Sequence, residues 1–296
     1  MKTETLVGYK LDIMANFDPI IETKDDGLFI PEVGEWSMEK YRLVGGYCDI
    51  FSTGMKAKWD QLVYIDLFAG AGYSRLKRSN KILYSSSLIA LSLPYPFTKY
   101  ILCEKEPARF AALEERVRRD FADKNVELIC GDSNEMVDRV FSAIPKYSTR
   151  NTVLSFCFVD PFSLNLKYST IKALGGKILM DFLILQALHM DANRNFNIYL
   201  DDENDKIADY LGILDWRDRF KKSKRPTRKD FIMFLVEQYE EQMVSIGYQP
   251  ARRMHQIRSN IKNLPLYYLA FYSKHKRGHD FFDKVNQYLN PQGKLF

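Results

Sequence analysis

The chain has 296 residues and a formal net charge of +5, and 46% of its residues are hydrophobic and 14% aromatic. Such a chain can hold one large α/β domain with additions or two small domains, and it is too apolar for a disordered protein. It contains no apolar run long enough to span a bilayer and no signal-peptide pattern at its first residues, which predicts a cytoplasmic protein.

The cysteines point to the same compartment. There are four, widely spaced and without a C-x-x-C pair, which argues against a zinc or iron–sulfur site. Cys103, Cys130 and Cys157 fall in predicted strands, so we expect buried, reduced thiols.

The N-terminal part of the chain is mixed in composition and weakly periodic up to Gly34, which is compatible with an arm or a strand pair packed on a sheet. The segment from Ser37 to Met55 reads as a helix that leads into the first core strand. We therefore expect three regions: residues 1–59 as arm and helix, 60–190 as the core, and 191–296 as a helical and basic region that completes the sheet.

The most informative segment runs from Leu62 to Gly72 and reads LVYIDLFAGAG. A short apolar run ends in Asp66, and Gly70 and Gly72 follow at once, which predicts a buried parallel strand that breaks into a tight loop. Glycine is used where the backbone takes a positive φ or approaches a ligand closely. The pattern is neither the G-x-G-x-x-G of dinucleotide folds nor a P-loop.

An acid at a strand tip followed by Phe-Ala-Gly-x-Gly resembles motif I of class I S-adenosylmethionine (SAM) methyltransferases. The resemblance implies that the cofactor is bound by Asp66, Phe68, Ala69, Gly70 and Gly72. The alternative is a strand-to-helix turn that only needs glycines.

A second strand is predicted at Tyr100 to Glu104, followed by an amphipathic helix from Lys105 to Asp120. The carboxylate of Glu104 suits a ribose diol because it can accept two hydroxyl hydrogen bonds, as acids do in dinucleotide folds. We place Glu104 and Lys105 among the cofactor-binding residues.

A third strand-like run, Val126 to Ser133, ends in Gly131, Asp132 and Ser133. Asp132 is placed to accept a hydrogen bond from an adenine exocyclic amine, and we place Asp132 and Ser133 among the cofactor-binding residues. Either Asp132 or Ser133 could instead cap a helix that we expect to begin near Asn134.

The fourth strand, Val153 to Val159, is almost continuously apolar, as in a central parallel strand covered on both faces. It is followed by Asp160, Pro161 and Phe162, a tip that resembles the (Asp/Asn)-Pro-Pro-(Tyr/Phe) motif of enzymes that methylate amino groups of nucleic acids. A carboxylate there can accept hydrogen bonds from the attacking amine as positive charge develops. An aromatic ring can stack on a base held out of its helix. These three residues are our candidate catalytic residues, although this chain has one proline where the motif has two.

Together the segments resemble the three-Cys-motif partner (TcmP) family of methyltransferase-like proteins. The resemblance rests on Glu35–Tyr41, Met55–Asp60, the motif I loop, Ser87–Leu91, Pro94–Phe97, Asp160–Leu164, Ala192–Asn195 and Leu266–His275. It implies a Rossmann-like SAM-binding fold whose partner is a radical-SAM-type protein that carries the three cysteines. Ala71, Ser86 and Ser163 depart from the family's usual residues.

Beyond the fourth strand we expect a helix near Thr170 to Leu174 and a further sheet strand at Phe182 to Leu188. The later segments are predicted as a helix from Thr227 to Gly247, paired antiparallel strands at 246–253 and 266–273, and a final helix from His279 to Tyr288. His275 and His279 are four residues apart but lack acidic or cysteine neighbours in sequence, so we expect no metal site.

Basic residues supply the candidate contacts to a substrate. They concentrate between Arg217 and Lys229 and between Arg252 and Lys262, with a third group that begins at Arg75. Such groups beside a cofactor site can neutralise phosphates, although they are equally compatible with a solvated surface. The candidate substrate-binding residues are Arg75, Asn193, Arg194, Lys221, Lys222 and Arg225. An exposed Asn-Arg pair can hold a phosphate or a base edge, or serve only as a local cap and surface ion pair.

The sequence therefore predicts an α/β, Rossmann-like protein with a mostly parallel central sheet, helices on both faces and additions at both ends. The expected activity is SAM-dependent methylation of a nucleobase nitrogen in RNA or DNA. Two alternatives remain: a non-catalytic binding subunit of a three-Cys-motif partner, and a methyltransferase for a protein or a small molecule.

Overall fold

The computed structural model describes residues 18–223, 226–252, 254–258 and 265–289. In this part of the chain the main sheet has seven strands in the order β10-β11-β9-β8-β3-β6-β7. These strands are β3 (Gln61–Asp66), β6 (Lys99–Glu104), β7 (Val126–Cys130), β8 (Val153–Val159), β9 (Met180–Gln186), β10 (Met254–Arg258) and β11 (Pro265–Tyr272).

Five of these strands, β3 and β6 to β9, are parallel, whereas β11 runs antiparallel to β9 and pairs with β10 as an antiparallel edge. The parallel strands are connected through helices that cover the sheet, as βαβ units require. The helices that follow β6, β7 and β8 are α3 (Pro107–Asp120), α4 (Val137–Ala143) and α5 (Tyr168–Gly175). The expected Rossmann-like α/β fold is confirmed by this topology.

Helix α1 (Ser37–Met55) crosses one face of the sheet and packs against the C-terminal helix α10 (Lys276–Leu289). Tyr47 of α1 is fully buried there, with its ring centroid 4.7 Å from that of Phe156 on β8 and 4.8 Å from that of Phe271 on β11. Aromatic contacts of this kind join helix and sheet into one core.

A second, smaller sheet lies beside the first in the order β1-β5-β4-β2. Its strands are β1 (Glu22–Thr23), β2 (Glu32–Val33), β4 (Tyr73–Leu76) and β5 (Ile82–Tyr84), and the short helix α2 (Ser86–Leu91) follows β5. The N-terminal strands β1 and β2 do not pair with each other, and they belong to this smaller sheet rather than to the main one.

The buried Arg116 of α3 fixes the small sheet to the core. Its guanidinium donates to Asp26 at 2.6 Å and 2.9 Å and to the Ala71 carbonyl at 2.6 Å, and it lies 3.9 Å from the Tyr73 ring centroid. This hydrogen bonding holds the pKa of Asp26 at about 2. A completely buried arginine is stable only when it is paired in this way.

The region between β9 and β10 consists of helices, most of them short, that pack against one another and against the sheet. They are a π-helical turn (Leu188–Ala192), α6 (Phe196–Leu200), α7 (Lys206–Leu211), α8 (Trp216–Lys222) and the longer α9 (Arg228–Ser245). Among the described residues, no helix is both long and apolar enough to cross a membrane.

Four predicted elements differ from the structure, one of them the final helix, which begins at Lys276 rather than at His279. The helix expected near Asn134 begins at Val137, because residues 132–136 form a turn in which the Asp132 carbonyl accepts from the Glu135 and Met136 amides. The strand predicted at 182–188 is shifted two residues towards the N-terminus. The strand predicted at 246–253 is wrong, since the segment paired with β11 is Met254–Arg258.

One cysteine prediction is also wrong. Cys103 and Cys157 are buried, but Cys130 is exposed. It is the last residue of β7, which forms the edge of the sheet, so its side chain has no neighbouring strand to cover it.

Candidate functional site

A cleft of about 450 Å³ opens at the carboxyl end of the parallel strands. It lies where the chain order reverses, since β3 continues to β6 on one side and is flanked by β8 on the other. Ligands of open α/β sheets bind at such a switch point. The walls are formed by the loop after β3, the first turns of α1, Glu104, the segment Asp160–Phe162, and Ile257 and Tyr267 of the antiparallel edge.

The loop after β3 has the conformation that its glycines predict. Gly70 and Gly72 have φ values of +67° and +86°. A Cβ atom on Gly72 would lie 3.1 Å from Leu88 Cδ1, whereas one on Gly70 would meet nothing within 4 Å. Gly72 is thus required for packing and conformation, and Gly70 for conformation only, which leaves the backbone open to the cleft.

Glu104, at the tip of β6, lines the cleft and braces this loop. Its two carboxylate oxygens accept from the Gly70 amide at 2.9 Å and the Glu106 amide at 2.8 Å. Each oxygen can accept a further hydrogen bond, so the carboxylate can hold the loop and still bind a ligand hydroxyl.

Asp66, predicted to contact a cofactor, is completely buried and does not line the cleft. It accepts hydrogen bonds from Ser86 Oγ at 2.7 Å, the Phe68 amide at 3.1 Å and Tyr64 Oη at 3.1 Å. Burial raises its pKa to about 7. In this geometry Asp66 supports the glycine loop from beneath.

The tip of β7 is tied to the same loop. Ser133 is buried and donates its hydroxyl hydrogen to the Leu67 carbonyl. Asp132 is partly exposed and accepts from the Asn134 amide at 2.9 Å and from Lys105 Nζ at 3.1 Å. Burial opposes the charge of Asp132, but these bonds outweigh it and hold its pKa below its usual value. Ser133 is thus a structural tie rather than a helix cap, and neither Asp132 nor Lys105 lines the cleft.

The tip of β8 carries an ion pair that the sequence did not predict. Lys40 of α1 donates to Oδ2 of Asp160, and both side chains are largely buried. Burial disfavours the charged form of Lys40, but the Asp160 carboxylate outweighs it and raises the pKa of Lys40 above its usual value. Among the described residues no hydrogen bond to the second oxygen, Oδ1, is found.

Pro161 is buried beside Asp160, whereas the Phe162 side chain is 89% exposed. An aromatic ring left this bare at a cleft is unusual in a folded protein and is available for stacking. The loop that follows is anchored, because the Leu164 amide donates to Asp191 at 2.8 Å. Asp160, Pro161 and Phe162 thus lie together on one wall of the cleft.

The candidate substrate-binding residues do not lie together in the structure. Arg75 lies on the small sheet and pairs with Asp25 at 2.5 Å. The carbonyl of Asn193 accepts from Arg228 at 2.6 Å. Arg194 is exposed near the cleft: burial raises the pKa of Tyr267, and the charge of Arg194 partly opposes that rise.

Much of the predicted basic surface is engaged in ion pairs or structure. Arg217 is largely buried and donates to main-chain carbonyls, those of Leu200 and Tyr199 at 3.3 and 3.2 Å among them. Arg252 pairs with Asp280 at 2.9 Å and with Asp283 at 3.0 Å. Lys221 and Lys222 are exposed, while Arg225, Arg253 and Lys262 lie outside the described residues.

Metal ligands do not cluster in the described ranges, where no three side chains of the types His, Cys, Asp and Glu come together.

No protein-family model matches this chain, and no curated protein matches it. Among solved structures, it is similar to protein LPL1258 of Legionella pneumophila, of family DUF519, with 10% identity, 84% of this chain and 92% of that chain covered, and a TM-score of 0.49. TYW2 of M. jannaschii, solved in complex with AdoMet, has 12% identity, coverages of 88% and 89%, and a TM-score of 0.40. Trm1 of Pyrococcus horikoshii, solved with S-adenosyl-L-methionine, has 12% identity, coverages of 90% and 64%, and a TM-score of 0.41. Identities and scores this low do not transfer an activity to this chain.

Proposed function

We propose that this protein is a SAM-dependent methyltransferase that methylates a nitrogen of a nucleobase in RNA or DNA. The observation that carries the proposal is the convergence of three features on one switch-point cleft. They are the open glycine loop at Phe68–Ala71, the Glu104 carboxylate, and the Asp160-Pro161-Phe162 tip with its bare ring.

The cleft fits the cofactor chemically. Glu104 has acceptor capacity left for the ribose hydroxyls, and the loop backbone at Gly70 is unobstructed. The Glu104 carboxylate on the wall attracts a sulfonium cation. When bound, SAM supplies an electrophilic methyl group. Asp66 acts indirectly by holding the loop through the Phe68 amide.

The acceptor side is built around Asp160. Lys40 binds Oδ2, which leaves Oδ1 to accept an N–H hydrogen bond from an exocyclic amine. The Phe162 ring stacks on the extruded base, and Pro161 limits the motion of the turn. Positioning of the acceptor supplies much of the reduction in the barrier.

Exposed basic side chains support the proposal of a nucleic-acid substrate. Arg194, Lys221 and Lys222 are exposed, and basic side chains neutralise phosphates. The predicted contact at Arg225 belongs to the same proposal.

The Lys40–Asp160 ion pair favours a second candidate. A carboxylate already paired with a cation is less available to an acceptor, as expected of a binding subunit that retains the cofactor site but not catalysis. Such a subunit would fit the TcmP resemblance and a radical-SAM-type partner. A methyltransferase for a protein or a small molecule would use the same cofactor residues.

The test combines calorimetric titration with SAM or its demethylated product and mass spectrometry of nucleosides from cells with and without the protein. Binding together with a methyl mark that disappears supports the proposal. Binding without a missing mark in RNA or DNA favours the other candidates, and no binding at millimolar ligand refutes a cofactor site.

A further inference from the structure

A second cavity, with a volume of about 270 Å³, lies at the amino ends of the parallel strands, opposite the cleft. The end of α1, the starts of β8 and β9 and the first turn of α10 enclose it. Its lining is mostly apolar and includes Met55, Trp59, Leu154, Leu179 and Phe281. An apolar cavity of about 150 Å³ is large enough to bind benzene, so this one can hold an aromatic ring with a short substituent.

One acid lines this apolar cavity. Asp181, the second residue of β9, is only 8% exposed and accepts a hydrogen bond from Tyr47 Oη at 2.8 Å. The Ser273 hydroxyl also stabilises its charge, but burial outweighs both and raises the pKa of Asp181 to about 6. At neutral pH the carboxylate is therefore mostly ionised.

The helix next to Asp181 explains how the charge is tolerated. A Cβ atom on Gly278, in the first turn of α10, would lie 3.0 Å from Asp181 Oδ2. The positive end of a helix dipole stabilises a nearby anion. Glycine at this position keeps the helix backbone close to the carboxylate, but the helix does not fill the cavity.

Cationic side chains at the rim do not neutralise Asp181. Lys274 Nζ donates to the Gly175 carbonyl at 2.6 Å, and it lies 5.2 Å from the centroid of the Tyr248 ring. Among the described residues, no lysine, arginine or histidine forms an ion pair with Asp181, and none of them contributes to its pKa shift. His275 and Arg277 also line the cavity, but both residues are exposed to solvent. The cavity thus presents an apolar wall and one anion that lacks a cation.

We propose that this cavity is a binding site for a small apolar molecule that carries one protonated amine. The ammonium group pairs with Asp181, and the apolar body packs on Trp59, Met55 and Phe281. Pockets that combine an apolar lining with one precisely placed charged group are typical of small-molecule sites. The site is separate from the carboxyl-edge cleft and does not depend on the function proposed for it.

The test uses three probes of similar shape with the full chain: 2-phenylethylamine, 2-phenylethanol and 3-phenylpropanoate. Binding is followed by ligand-observed NMR titration. We expect the amine to bind at least about tenfold more tightly than the alcohol, because only the amine pairs with a desolvated carboxylate. The propanoate should bind most weakly.

Two variants locate the site. Asp181→Asn keeps the shape and removes the charge, so it should abolish the preference for the amine. Leu179→Trp places a bulky ring at the mouth of the cavity and should weaken the binding of all three probes. The matched control is Leu214→Trp, because Leu214 is 89% exposed and does not line the cavity.

The proposal is overturned if the amine and the alcohol bind equally, if no probe binds at millimolar concentration, or if Leu179→Trp binds like Leu214→Trp. A retained preference in folded Asp181→Asn overturns it as well. If that variant does not fold, the Leu179→Trp comparison and the order of the three probes decide.

Discussion

A buried aspartate lies at each end of the parallel strands, Asp66 at the carboxyl ends and Asp181 at the amino ends, and the two acids differ in what surrounds them. Asp66, at the carboxyl edge, is enclosed by three donors and has no exposure, whereas Asp181, at the amino edge, faces a cavity. A tyrosine hydroxyl donates to each, from Tyr64 and Tyr47 respectively. A buried acid at the end of a strand can therefore have either of two roles. Where donors surround it on all sides it stabilises the backbone, and where a cavity adjoins it the carboxylate is available to a ligand.

The largest expected effect concerns the stability of the fold and Asp66. Its pKa of about 7 in the folded protein lies above the ordinary 3.8, so the folded state binds the proton more tightly. The contribution of Asp66 to the free energy of unfolding is therefore greatest below pH 4 and falls as pH rises from about 4 to 7, by on the order of 4 kcal/mol at 1.36 kcal/mol per pK unit.

Urea unfolding of the parent and of Asp66→Asn between pH 4.5 and 8 checks this. In the variant the free energy of unfolding should decline much less as pH rises. The smaller decline that is left belongs to Asp181, whose pKa is about 6. Identical pH profiles for the two proteins would mean that Asp66 titrates as an ordinary carboxylate.

The next effect concerns methyl transfer at the carboxyl edge. Asp160→Ala should slow single-turnover transfer by about 10²–10³, as the loss of a charge-stabilising group does, and leave SAM affinity unchanged. Asp160→Asn should be milder, since its carbonyl still accepts. Phe162→Ala should weaken acceptor binding more than Phe162→Tyr. Transfer at the parent's rate by Asp160→Ala would make this tip structural, and Asn193 and Arg194 would be tested next.

Cofactor affinity should respond to Glu104. Glu104→Ala should weaken SAM binding by about 1–3 kcal/mol, because ribose hydroxyls lose their acceptor and the Gly70 amide loses its partner. Calorimetry measures the change, with the exposed Glu135→Ala as control. Equal affinities of parent and Glu104→Ala would remove Glu104 from the cofactor site.

The smallest effect concerns the surface charges. Reversal of Lys221 and Lys222 to Glu should weaken RNA or DNA binding several-fold, and should reduce the slope of log affinity against log salt by about 1–2. The charge-matched control reverses Lys172 and Lys177, exposed lysines on and after α5. If the two double variants bind alike, the effect is one of net charge and the Lys221 surface carries no site.

The sequence alone determined the main helices and parallel strands and the order of the strand tips. The predicted bounds of α1 and β8 match the structure, because local apolar periodicity depends only on residues near one another in the chain. The conformation of the glycine loop after β3 could also be predicted, since residues other than glycine rarely adopt a positive φ.

Only the tertiary structure decided what the side chains contact. Lys40 and Asp160 are 120 residues apart, and no local pattern indicates that they pair. The basic run around Arg217 does not indicate that this residue donates to main-chain carbonyls in the interior. The sequence also does not indicate that Asp181, next to an apolar segment, is a buried acid. Periodicity is set by neighbours in the chain, whereas burial, ion pairing and cavities arise where distant elements pack.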